Sequence, residues 1–171
     1  MEVRLRAALQ ADAEILASWE TDEVFCRQAG WRPHATYDDA VKWWRPRLRT
    51  PKPGSIRLIA VNEDAVVGYA DIYGTDPEER ELGYAVGPSS AWGHGLGTAV
   101  ARAGVAYAFE ELNLQRIWAE AVLAAPASVG ILRRIGMREI GLGSEEDYLG
   151  VPSRYLQFEI TRSVWSATAH P

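Results

Sequence analysis

The chain has 171 residues, and at about 150 residues per domain this reads as one domain, residues 1–163, followed by a frayed tail over 164–171. Hydrophobic residues make up 47% and charged residues 24%, an ordinary globular balance that excludes wholesale disorder. Lys and Arg total 18 against 23 Asp and Glu, and the net charge of −5 argues against a nucleic-acid binder, whose phosphate contacts need a basic face.

Glu2 to Arg6 alternates apolar and charged residues and reads as a first strand. That opening lacks the apolar stretch of a signal peptide, and nothing approaches the ~20 apolar residues of a membrane span, so no membrane partner is expected. Ala11 to Glu20 sets Ile15, Leu16 and Trp19 at helical spacing. The one cysteine, Cys26, excludes an internal disulfide and a Cys-rich metal site; it reads as a structural thiol in a reduced, cytoplasmic setting. His34, His94 and His170 lie far apart, without ligand spacing, so no metal is expected.

Thr36 before Asp38-Asp39 starts a second helix running toward Trp43-Trp44, which Pro46 ends or bends. The period then becomes strand-like. Ser55–Val61 and Ala65–Tyr73 form a hairpin around Asn62-Glu63-Asp64, and Glu79–Val86 follows after the turn at Thr75-Asp76-Pro77-Glu78. Beyond glycines 93, 95 and 97 a helix rich in small residues runs to about Glu111, then a strand over Gln115–Val122. Pro126 to Ile135 is a short helix that Gly136 stops. Met137–Leu142 and Ser153–Ile160 close the chain as strands around a loop at Glu145–Gly150. The order β-αα-βββ-α-β-α-ββ describes a mixed α/β layer, one sheet covered by helices.

Trp92-Gly93-His94-Gly95-Leu96-Gly97-Thr98 follows a strand and opens a helix. Glycines let backbone N–H groups crowd toward an anion, and the helix directs its own unpaired N–H groups and partial positive charge the same way, which suits a diphosphate. A Walker loop is excluded because no lysine follows Lys52. The dinucleotide fingerprint fails too, since its third glycine falls on Thr98 or Val100, which disfavours an oxidoreductase.

The loop and the element order resemble the GNAT superfamily of acyl-CoA-dependent N-acetyltransferases. The family signature, Gln/Arg-x-x-Gly-x-Gly/Ala, corresponds to Trp92–Gly97, with Trp92 replacing its first residue; a Trp-Gly-x-Gly variant is similar to the ribosomal-protein-alanine acetyltransferase branch. The resemblance implies a mostly antiparallel central sheet with helices on both faces, and acetyl-CoA as co-substrate. It implies that Gly93, Gly95 and Gly97, with the intervening backbone at Trp92, His94 and Leu96, hold the coenzyme diphosphate, Thr98 adding a hydroxyl.

In Glu79–Val86, alternation puts Glu79, Glu81, Gly83 and Ala85 on one face and Leu82, Tyr84 and Val86 on the other. Glu81-Leu82-Gly83-Tyr84 resembles the family's fourth strand, which implies Glu81 as base for the incoming amine, with backbone donors for the oxyanion and cofactor around Tyr84, Ala85 and Val86. Ala125 to Met137 is similar to the family's Asn-x-x-Ser-x-x-x-Leu/Tyr-x-x-x-Gly-Phe element. Ala125 replaces the asparagine and Leu132 stands where many members have a proton-donating tyrosine, which leaves Ser128 as the candidate acid.

Trp19, Trp31, Trp43 and Trp44 suit either a core or an aromatic wall for the acceptor; Trp31 and Glu79 are the candidate substrate contacts. Glu20, Asp22 and Glu23 form an acidic cluster, and Arg45, Arg47, Arg49 and Lys52 a basic run that reads as solvated surface. Tyr148–Pro152 with Arg154-Tyr155 resembles the late hairpin of the ribosomal-alanine branch. The expected function is direct transfer from acetyl-CoA to a primary amine: a peptide or protein N-terminus, an aminoglycoside or a polyamine. A homodimer is compatible with this reading. The alternative is an acyl-CoA-binding module or sensor without catalysis.

Overall fold

The structure, a computed structural model, describes residues 2–169; His170 and Pro171, which end the expected tail, lie outside them. The elements are β1 (Arg4–Ala7), α1 (Asp12–Trp19), α2 (Glu23–Ala29), α3 (Tyr37–Arg49), β2 (Ser55–Asn62), β3 (Ala65–Tyr73), β4 (Glu79–Val86), α4 (Leu96–Glu110), β5 (Arg116–Val122), α5 (Pro126–Arg134), β6 (Arg138–Tyr148), β7 (Val151–Thr161) and α6 (Arg162–Ala169). One seven-stranded sheet runs in the order β1-β2-β3-β4-β5-β7-β6. Every neighbouring pair is antiparallel except β4 with β5. Among the described residues no helix is long and apolar enough to cross a membrane.

The alternation expected in β4, and present also in β2 and β3, divides two cores between the faces of the sheet. Ala70, Ile72 and Leu82 pack with Val100, Val105 and Phe109 of α4, joined by Leu132 of α5. Ile59, Val61 and Tyr69 pack on the opposite face with Leu16, Phe25 and Trp44 from the three N-terminal helices. α4 lies close because it is small where it meets the sheet: a Cβ on Gly104 would sit 2.7 Å from Leu82 Cδ1 and 3.3 Å from the Ala70 Cβ.

Four segments differ from the sequence reading. α2 is an additional helix; Asp22 Oδ1 caps it by accepting from the Phe25 N–H at 2.9 Å, and Gly30 ends it at φ +67°. α3 continues through Pro46 to Arg49, because Trp44 and Leu48 on either side of the proline are buried. The loop expected at 145–150 shrinks to a two-residue turn, Leu149-Gly150, both with positive φ, so β6 and β7 form one long hairpin. The tail expected to fray from Val164 is helical to Ala169, where Trp165 packs against Phe109 at 6.2 Å between ring centroids.

Gly104→Val forces branched bulk into the α4–sheet contact and is expected to destabilise the fold by roughly 1–3 kcal/mol. Urea unfolding followed by circular dichroism measures it; a midpoint equal to wild type refutes the close-approach assignment.

Candidate active site

The site begins as a split in the sheet. β4 and β5 pair only over Glu79↔Arg116, Arg80↔Ile117 and Glu81↔Trp118, and then separate. Beyond that point β4 stays bonded to β3, and β5 to β7. The Gly87 N–H donates to the Val67 carbonyl at 3.2 Å, so by alternation the main-chain groups of Tyr84 and Val86 point away from β3, into the split. The Val86 carbonyl accepts from the Trp92 indole at 2.7 Å. The Tyr84 N–H and C=O and the Val86 N–H face a space that no strand fills. Buried main-chain groups of this kind need partners.

A cavity of about 450 Å³ occupies the split, lined by Tyr84, Ala85, Val86 and Trp92 on one side and by Ala124 to Ser128 on the other, with Gly93 and Gly97 at one end. Gly93 and Gly95 both have φ of +84°, and a Cβ on either would meet nothing within 4 Å. The loop therefore takes a conformation that favours glycine and presents its backbone openly. Gly95 is the N-cap of α4 and supplies no side-chain cap, so the first-turn amides at Leu96, Gly97 and Thr98 keep their free donors. His94 is exposed and Leu96 buried. Gly97 has a second task, because a Cβ there would lie 2.7 Å from Ile131 Cδ1 of α5. Arg134 donates to the Thr98 hydroxyl at 3.2 Å and brings a cation to the loop.

A second cavity, of about 340 Å³, opens on the α3 side of the sheet between Gly83, Ala85, Glu120 and Tyr155. The two cavities meet along Tyr84, Ala85, Ala125, Ser128, Tyr148 and Leu149. Ser128, in the first turn of α5, thus stands where both open. The Tyr84 hydroxyl donates to the Ser128 carbonyl at 3.4 Å, and burial pushes this phenol above its ordinary range, so it stays protonated. Glu81 lies on the α3 face beside the split; burial, and then the charge of Glu120, raise its carboxyl above the usual range. Such a carboxylate is a better proton acceptor than a solvated one.

Of the sequence-read residues, Tyr84, Ala85, Val86, Trp92, Gly93, Gly97 and Ser128 line the split; Glu81 lies beside it, His94, Gly95, Leu96 and Thr98 belong to the loop and helix start at its end, and Trp31 lines a third cavity on the α3 face. Glu79 is not brought there. It sits at the paired end of β4, where Arg116 binds its carboxylate and that of Glu159, so the expected substrate contact is corrected to a strand-end ion pair. Cys26 is buried, and burial followed by Glu20 and Asp22 raises its thiol, in keeping with a structural cysteine. Leu132 is wholly buried and Ala125 caps α5 without a side-chain bond, so neither replaces the group it stands for.

Several site residues escaped the sequence reading. Glu120 shows only as the polar partner in the alternation of β5; its acceptance from Gln157 at 2.8 Å depends on the β5–β7 register. Glu146 and Asp147 sit in a stretch that looked like a loop. Phe25, Gln28 and Ala29 line the split from α2, a helix not anticipated. Replacing Glu120 by Gln removes the charge that helps hold the Glu81 carboxyl high, so its pKa is expected to fall. Carboxyl-carbon NMR titration of Glu81 in both proteins checks this; an unchanged titration shows that Glu120 has no influence.

Residues 2–138 match the family described as acetyltransferase (GNAT) domain. Among solved structures, a probable acetyltransferase aligns with TM-score 0.77 and 22% identity, over 96% of this chain and 95% of that one. An aminoglycoside acetyltransferase in complex with coenzyme A aligns with TM-score 0.77 and 22% identity, over 98% and 99%. A spermidine N-acetyltransferase from Vibrio cholerae, in complex with coenzyme A and spermine, reaches 0.79 at 16% identity, over 96% and 98%. These likenesses establish the mixed α/β fold, and with a family match over most of its length the chain belongs to the GNAT acetyltransferases.

Proposed function

We propose that the protein transfers the acetyl group of acetyl-CoA directly to a primary amine. The observation that carries this reading is the split between β4 and β5, with unpaired main chain on one wall and an uncapped helix start at its end. The amides of residues 93–98 fit a diphosphate, with the Thr98 hydroxyl and Arg134 beside them. Tyr84 and Val86 offer the extended arm of a coenzyme the hydrogen bonds that β5 no longer supplies. Bound there, acetyl-CoA supplies an activated thioester carbonyl.

The remaining chemistry falls to the chain's own groups. Glu81 takes the proton of the acceptor ammonium, directly or through water, and frees its lone pair. A main-chain N–H of β4, at Tyr84 or Val86, stabilises the oxyanion. The Ser128 hydroxyl gives a proton to the sulfur as the carbon–sulfur bond breaks, and regains one, directly or through water, from the nitrogen of the collapsing intermediate as the amide forms. Cys26 takes no part, which leaves a direct transfer with no acyl-enzyme step; its reduced thiol fits a cytoplasmic setting. The Trp-Gly-x-Gly loop and the hairpin from Tyr148 to Tyr155 support a ribosomal-alanine-like branch, and the structural neighbours support small amines as acceptors.

A second reading, an acyl-CoA sensor, is favoured by the apolar Leu132 and the capless Ala125. Release of free thiol from acetyl-CoA over a panel of alanyl peptides, aminoglycosides and polyamines separates the two; tight coenzyme binding with no release for any amine supports the sensor. Glu81→Gln is expected to lower turnover by about 10²–10⁴-fold while leaving coenzyme affinity in place. Gly95→Val does the reverse. Its branched side chain at φ +84° strains the loop and pushes into the anion site, so coenzyme affinity falls by roughly tenfold or more. Calorimetric titration reads both, and undiminished affinity in Gly95→Val counts against the loop.

A further inference from the structure

A further cavity, of about 710 Å³, belongs to neither side of the split. It lies on the α3 face between α3, the segment 31–34 and strands β2 and β3. Its size suits a ring-bearing small molecule. Trp44 and Tyr69, 5% and 8% exposed, form part of its floor, while Trp43 and Tyr73, each 38% exposed, stand at its mouth. Trp31 joins them, its centroid 5.1 Å from that of Trp44 and 6.3 Å from that of Tyr69.

The charges in this chamber are not balanced. Arg57 is neutralised by buried Asp71, which also accepts from the Tyr73 hydroxyl at 2.6 Å. Glu20 already accepts from the His34 N–H and ring nitrogen, each at 2.8 Å, and from the Trp44 indole at 3.0 Å. Arg32, Arg47 and Lys52 line the same chamber, and among the described residues none of the three is in a salt bridge with a carboxylate. The Arg47 guanidinium stands over Trp43, its carbon 3.7 Å from the ring centroid, so ring and charge are presented together.

The chamber adjoins the acceptor side of the split. Tyr69 lines both cavities, and Tyr73 is the strand partner of Glu81 on the same face. On the far side of Glu81 three carboxylates, Glu120, Glu146 and Asp147, line the second cavity against one cation, Arg27. A single acceptor spanning the two would meet carboxylates at its amine end and cations among aromatic rings at the other.

We infer that the acceptor is a bipolar amine, whose far end carries a planar ring with an anionic group seated among Trp31, Trp43, Tyr73, Arg32, Arg47 and Lys52. This rests on the transferase reading for the word acceptor; the binding site itself does not. A polyamine or an aminoglycoside, cationic throughout, meets repulsion in this chamber.

The probe is 4-(2-aminoethyl)benzoate, compared with 2-phenylethylamine and spermidine, and its binding is read by quenching of tryptophan fluorescence without acetyl-CoA. The benzoate is expected to bind about tenfold more tightly than phenylethylamine, since each exposed charge contact adds only a modest increment. Arg47→Gln combined with Lys52→Gln removes most of that preference and leaves coenzyme A affinity at the wild-type value. Saturating coenzyme A does not displace the probe. Equal affinity for the benzoate and phenylethylamine, tighter binding of spermidine, or competition between the probe and coenzyme A overturns the proposal. Failure of the wild-type protein to bind coenzyme A instead sinks the transferase reading, and the fluorescence result still decides the site.

Discussion

Past Glu81 and Trp118, β4 and β5 can no longer satisfy each other's main chain, and the geometry of the site follows from that parting. Each strand is held by its other neighbour: β4 by β3 as far as Val86, β5 by β7 as far as Val122. Two antiparallel half-sheets thus meet along a short parallel seam and then diverge with their own twist. A strand edge left inside a cleft keeps its hydrogen-bonding demand, because a buried amide without a partner costs about 1–3 kcal/mol. The split is therefore walled by backbone groups that need partners, whatever side chains stand along it.

The end of the split is organised by packing more than by the glycines alone. Close contact of Gly104 with Leu82 and Ala70, and of Gly97 with Ile131, holds α4 against the sheet and against α5. The Trp92 indole ties the loop to the last carbonyl of β4. The uncapped start of α4 is thereby fixed beside the split, where a helix terminus stabilises an anion by roughly 0.3–1 kcal/mol and more when partly buried. Trp92 replaces a polar residue of the family signature, and its hydrogen bond gives it a structural reason to be there.

What could be read from the sequence was local. Strand β4, the glycine loop and the start of α5 appear at their expected residues because turn chemistry and alternation are short-range signals. The long hairpin was obscured by Gly141, Gly143 and the acidic residues 145–147, which look like loop until pairing with β7 is known. α2 was obscured because Asp22 reads as a member of an acidic cluster and acts as a cap. Glu120 and the unpaired groups of Tyr84 belong to the register of strands far apart in sequence, and main-chain donors leave no letter to read. Glu79 shows another limit: its alternation with Glu81 is real, but the Arg116 that takes its carboxylate is set opposite it only by the β4–β5 register.

The α3 face holds opposite charges on either side of Glu81, and this bears on why a base is needed at all. Carboxylates at Glu120, Glu146 and Asp147 favour the ammonium form of an arriving amine; at an effective dielectric constant near 20, unit charges about 4 Å apart interact by roughly 4 kcal/mol. The attraction that concentrates the acceptor also holds the proton that must leave. In the proposed transfer Glu81 resolves the conflict by position: it stands next to that cluster, its own affinity for a proton is raised by burial and by Glu120, and it neighbours Tyr73 at the edge of the cationic chamber. The cations beyond Tyr73 act in the other direction: they oppose positive charge on the amine and, for the bipolar acceptor inferred above, would hold the anionic group at its far end. On the two proposals taken together, recognition and deprotonation fall to opposite ends of one surface.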